Sequence, residues 1–149
     1  MGDRVVHKNV VSKGNSSAPF PLWVRVVVVA GAVLLTAGAL ISLLHPILLV
    51  SPRDEINSAV RVFAAYTFSR DLALAIMLVV ALALRARATL NSLMLLTGLV
   101  QFLDAFADCV DHRWAIVPVA LVLGGIFLCA AASLSGSAFW KIQAWKQTI

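Results

Sequence analysis

Four apolar stretches constrain this chain more than any other feature: Trp23–Leu44, Arg61–Leu84, Thr89–Val110 and Trp114–Leu134. Each runs for about 21–24 residues, enough for a helix to cross a hydrocarbon layer roughly 30 Å thick. Spanning β-strands would show about ten residues of alternating polarity, a pattern missing here. Only short connections separate the last three stretches, so neighbouring helices must run antiparallel. The expected fold is therefore all-α, an integral membrane four-helix bundle over residues 22–136. Residues 1–21 read as a polar cytoplasmic tail. Residues 137–149, with Trp140, Trp145, Lys141 and Lys146, read as a short interfacial helix.

Composition agrees with lipid as the solvent. Hydrophobic residues make up 61% of the chain and charged residues only 13%, too few to cover a soluble surface. The net charge of +5 could suggest nucleic acid. The basic residues flank apolar runs and form no patch interleaved with aromatics, so nucleic acid is excluded as a partner. Their placement carries topology instead. Arg4, Lys8, Lys13, Arg25, Arg85, Arg87, Lys141 and Lys146 fall on one side, and Arg53, Arg61 and Arg113 on the other. The richer side, with both termini, is expected to be cytoplasmic. The sequon Asn15-Ser16-Ser17 would then be silent.

The first stretch contains Ala37-Gly38-Ala39, which resembles a signal-peptidase site. Its apolar run continues through Leu44, longer than a signal core, so a retained helix is expected. Cys109 and Cys129 should lie on the order of 15 Å apart in depth, too far for a disulfide. Small residues suggest packing faces: Gly31 and Gly38 in the first stretch, and Gly125, Cys129, Ser133 and Ser137 at every fourth position in the last.

Ionisable groups inside these stretches are costly to place and mark a candidate site. Arg70 and Asp71 interrupt the second, and Asp104 and Asp108 the third. By helical rise, Arg70, Asp71 and Asp104 fall at similar depths in the outer half, so opposite charges should meet between helices. Asp104, Asp108 and Asp111 share one face, which Gln101 extends inward by a turn. Tyr66 lies one turn from Arg70. This pattern predicts an outward-opening pocket, with His45 and His112 at its rim and Asp71 turned toward another helix. Asp71 and Asp104 are the candidate acid–base residues; Tyr66, Arg70, Gln101 and Asp108 are the candidate substrate contacts. The pocket would bind or convert a lipophilic small molecule by isomerase- or cyclase-type chemistry. Two other readings stay open: a non-catalytic membrane partner or scaffold whose Arg–Asp pairs only fix helix register, and a proton or ion path.

A metal reading would use Asp104, Asp108 and His112, spaced by three residues between each. This resembles half of the CDP-alcohol phosphotransferase signature, but the upstream half, Asp-x2-Asp-Gly-x2-Ala-Arg, is missing. No metal or other cofactor is therefore assigned. The chain lacks a Gly-rich phosphate loop, a nucleophile elbow, a His-Glu-x2-His and a Cys-x2-Cys.

Three segments carry a family resemblance: Ser69-Arg70-Asp71-Leu72-Ala73-Leu74-Ala75, the basic turn Arg85-Ala86-Arg87, and Leu99-Val100-Gln101-Phe102-Leu103-Asp104-Ala105. Over residues 22–134 the chain resembles the domain of unknown function 4267 family, small four-helix membrane proteins, DoxX-like in style. Ala75 stands where that pattern commonly has glycine. The resemblance implies four helices and an important Arg70–Asp71–Asp104 set, and it implies no established reaction. The expected partners are the bilayer, a hydrophobic small molecule and further copies of the chain.

Overall fold

The computed structural model describes residues 20–48 and 57–135. Four helices carry the fold of these residues: α1 (Leu22–Leu44), α2 (Ser58–Ala83), α3 (Arg87–Val110) and α4 (Val117–Ser135). A 3₁₀ turn, Pro46–Leu48, follows α1. All four helices are long and apolar enough to cross a membrane, and the protein is a multi-pass, all-helical membrane bundle. Of the expected tail only Phe20 and Pro21 are among the described residues, Phe20 being buried in the core, and the expected interfacial helix lies outside them.

The helix ends have local causes. Pro46 stops α1, because the residue before a proline is pushed out of the helical region. Asn57 caps α2, its side-chain oxygen accepting from the Val60 N–H at 3.1 Å. Helix α4 starts three residues later than its apolar stretch. Trp114–Ile116 form a turn, and the Ile116 carbonyl accepts the N–H groups of Val119 and Ala120 at 3.0 and 3.2 Å. Pro118 fits there because the first helical turn leaves its N–H groups unpaired.

Large apolar side chains cover the outside, among them Val26, Val33, Ile76, Leu99 and Val122. In water such a surface would aggregate; in lipid it is solvated. Helix hydroxyls turn back onto their own backbone. Thr36 donates to the Ala32 carbonyl at 2.8 Å and Ser69 to that of Ala65 at 2.9 Å.

Helices α1 and α2 form one closely packed hairpin, α3 and α4 the other, and the hairpins touch each other less. Their shared core lies at the end where α1 begins and α4 finishes. There Val24 and Val28 of α1, Leu78 of α2, Met94 of α3, and Ala130 and Phe127 of α4 form one buried cluster. Arg87 lies over the Phe20 ring at 5.4 Å, closing that end by a cation–π contact. The other half differs. Its buried cluster, Ala105, Val117 and Ala120 with Cys109, joins α3 to α4 alone.

Glycines set the close approaches, but not all the expected ones. A Cβ on Gly31 would collide with the Phe127 ring of α4. Gly98 and Gly124 bring α3 and α4 together, a Cβ on either lying 3.2 Å from the other's carbonyl oxygen. A Cβ on Gly38 or Gly125 would meet nothing within 4 Å, and Cys129 and Ser133 are exposed. The packing stripe on α4 therefore runs through Gly124 and Phe127, one helical position away from the stripe expected through Gly125. Both cysteines are free thiols.

Candidate functional site

Because the described parts of the hairpins share no core in one half of the bundle, they enclose a cavity there of about 680 Å³. Gly31, Leu35 and Phe127 line its deep end, beside the shared core. Ser42, Ala59, Asp111 and Arg113 line it near the helix ends. Gly38 has open space beside it because it faces this cavity.

Arg70 spans the gap between hairpins. Its Nη1 and Nη2 donate to Asp104 Oδ1 and Oδ2 at 3.0 and 2.9 Å, a two-pronged pair from α2 to α3. Its Nε donates to Asp71 Oδ1 at 3.0 Å. The neighbouring carboxylate thus holds the guanidinium plane while the fork grips α3. The sequence reading turns Asp71 toward another helix. It is buried at 8% exposure on the α2 face that also carries Ala64, Ala75 and Leu78, with its carboxylate on the adjacent Arg70 of its own helix. Burial leaves it little choice, since a carboxylate away from water needs the closest available cation.

A second ion pair sits nearer the helix ends. Arg113 Nη1 lies 3.1 Å from Asp108 Oδ1. The chain reverses at His112, whose φ of 57° is left-handed, and the Arg113 N–H donates to the Asp108 carbonyl at 2.8 Å. This helix-ending motif brings Arg113 back over α3, backbone and side chain both meeting Asp108.

Asp71, Arg70, Gln101, Asp104 and Asp108 all line the cavity, as the sequence predicts. Tyr66 does not: it is 73% exposed and absent from the lining. The reason is angular. At 100° per residue, Phe63, Thr67 and Asp71 follow Arg70 around α2 on one side, and Tyr66 falls about 40° away on the other. Arg70 marks the edge of the cavity-facing stripe, so lying one turn from it does not bring Tyr66 inside. His45 and His112 are also exposed and are absent from this lining; the His112 ring lies 6.5 Å from that of Trp114. Phe63, Thr67, Gly38, Ser42 and Arg113 line the cavity although the sequence pattern does not single them out for it. Hydropathy cannot separate Phe63 and Gly38 from lipid-facing residues, and Thr67 and Ser42 satisfy their hydroxyls on their own helices, so neither needs a polar surrounding.

The polar groups are segregated. Among the described residues, every ionisable lining residue comes from α2, α3 or the turn after α3, while α1 and α4 contribute apolar surface and Ser42. The candidate metal row is dispersed in its use: Asp104 and Asp108 each hold an arginine, and His112 turns to Trp114. Among the described residues, no three His, Cys, Asp or Glu side chains are grouped to hold a metal ion. A volume of this size with a few convergent polar groups is typical of small-molecule sites. No family model matches the chain, nor does any curated protein or solved structure.

Proposed function

We propose that this protein binds, and converts, a lipophilic small molecule within the membrane by isomerase- or cyclase-type acid–base chemistry. The observation that carries the reading is the cavity of about 680 Å³ adjoining both Arg70 and Asp104. Asp104 or Asp71 would exchange a proton with the bound molecule, and Arg70 would steady the negative charge that results. The distribution of Lys and Arg supports cytoplasmic termini, so the cavity opens toward the opposite face of the membrane. The resemblance to the domain of unknown function 4267 family supports the same Arg70–Asp71–Asp104 set without naming a substrate.

One observation favours a second reading. Arg70 uses all three of its nitrogens on Asp71 and Asp104, as a purely structural tie between helices would. The two readings separate in cells expressing Asp104→Asn. On the pocket reading, a lipophilic compound that accompanies the wild-type chain, in cell extracts or bound to purified protein, falls by about 10²-fold. The thermal unfolding midpoint in detergent stays within a few degrees. Unchanged extracts, together with a lowered midpoint that Arg70→Gln restores in the double variant, would establish the structural tie instead.

A further inference from the structure

The charge balance of the cavity narrows the kind of molecule it takes. Among the described residues, four carboxylates line it, Asp71, Asp104, Asp108 and Asp111, against two guanidinium groups, Arg70 and Arg113. Arg70 is committed to Asp71 and Asp104, and Arg113 to Asp108. Asp111 has no ion-pair partner among the described residues. Counted as ionised, these walls carry two more negative than positive groups, with the unpaired Asp111 exposed just past the end of α3 at the mouth of the cavity. The excess is on one side only. Facing it across the cavity are Leu34, Leu35, Val119, Leu123 and the ring of Phe127. Phe63 lies on the charged side, where an aromatic face can also attract a cation.

We infer that the ligand is a lipophilic cation: a molecule whose positive centre, such as a protonated or quaternary amine, lies against Asp108, Asp111 and Asp104, with its apolar body on α1 and α4. A positive centre offsets part of this excess without displacing either arginine. An anionic amphiphile would add to the excess and would have to compete with the carboxylates already holding Arg70. The inference rests on the pocket reading above and gives its ligand class.

Three probes of nearly one shape test it on the full-length chain in nanodiscs: tetraphenylphosphonium, tetraphenylborate and neutral tetraphenylmethane. Protein-dependent, saturable binding is measured by equilibrium dialysis against empty nanodiscs, and Gly38→Leu, whose side chain projects into the cavity, serves as the blocked reference. The cation should bind at least about tenfold more tightly than the neutral probe, and the anion should show no saturable component. Asp111→Asn should weaken the cation, and Arg113→Gln should tighten it. Loss of structure would weaken both, so opposite signs are the signature of charge. Equal or tighter binding of the neutral or anionic probe, still blocked by Gly38→Leu, overturns the cation inference and leaves the pocket standing. Saturable binding of none of the three overturns both.

Discussion

At the scale of single residues, the bilayer makes every polar group account for its partners. Arg70 does so fully, with three nitrogens on two carboxylates. Ser42 and Thr67 do so by donating to carbonyls of their own helices, at 2.7 and 3.1 Å. Two buried atoms of α3 are exceptions among the described residues, Asn91 Oδ1 and the hydroxyl of the fully buried Thr97, neither of which has a hydrogen-bond partner. An unsatisfied buried hydroxyl costs about 1–3 kcal/mol, whereas an apolar isostere costs nothing of that kind. Thr97→Val should therefore raise stability by about 1 kcal/mol, read as a higher unfolding midpoint in detergent. A lowered midpoint would mean that the hydroxyl is satisfied in the bilayer. The presence of Arg70, Asp71 and Asp104 in one site was legible in the sequence, because charges in lipid have few ways to be stabilised. The partner of Asp71 was not, since two arrangements satisfy it equally well and only side-chain packing chooses between them.

At the scale of elements, the helix ends show how local backbone conformation serves the site. Both α2 and α3 close with the same motif, at Arg85 (φ 55°) and His112 (φ 57°). In each, the residue after the left-handed position reaches back across the last turn: Ala86 to the Ala81 carbonyl at 3.0 Å, Arg113 to that of Asp108 at 2.8 Å. Glycine usually occupies this position because a Cβ disfavours left-handed backbone by roughly 1–2 kcal/mol. The exposed ring of His112 makes only a distant contact with Trp114. His112→Gly should then stabilise the protein by about 1 kcal/mol while leaving the Arg113–Asp108 pair in place. Urea or thermal unfolding of the variant would check this, and a clear loss of stability would assign the histidine a role beyond the cap. No glycine marks these turns, so their geometry could not be read in advance. The existence and number of the helices could, because the length of each apolar run is dictated by membrane thickness.

At the scale of the whole molecule, the bundle is asymmetric: one half is filled by side chains from all four helices, and the other is held apart around a cavity. Two glycines of α1, two turns apart, differ in their place: Gly31 is at the boundary with the filled half and Gly38 is within the hollow one. Gly31 lies under the Phe127 ring, and Gly38 opens on empty space. Gly31→Ala should lower stability by about 1–3 kcal/mol through overpacking. Gly38→Ala, in the open half, should shift it by well under 1 kcal/mol apart from a small gain in helix propensity. Equal effects on the unfolding midpoint would refute the asymmetry. The sequence by itself determined the solvent, the four spans, their antiparallel order and the charged groups that must meet. The tertiary structure alone decided where the bundle is hollow, that Tyr66 faces outward, and that Gly98 and Gly124, not Gly125, carry the close contact. The physical reason is common to all three. A helix apolar on every side carries no hydropathy signal for its rotation, so packing against its neighbours sets which face turns inward.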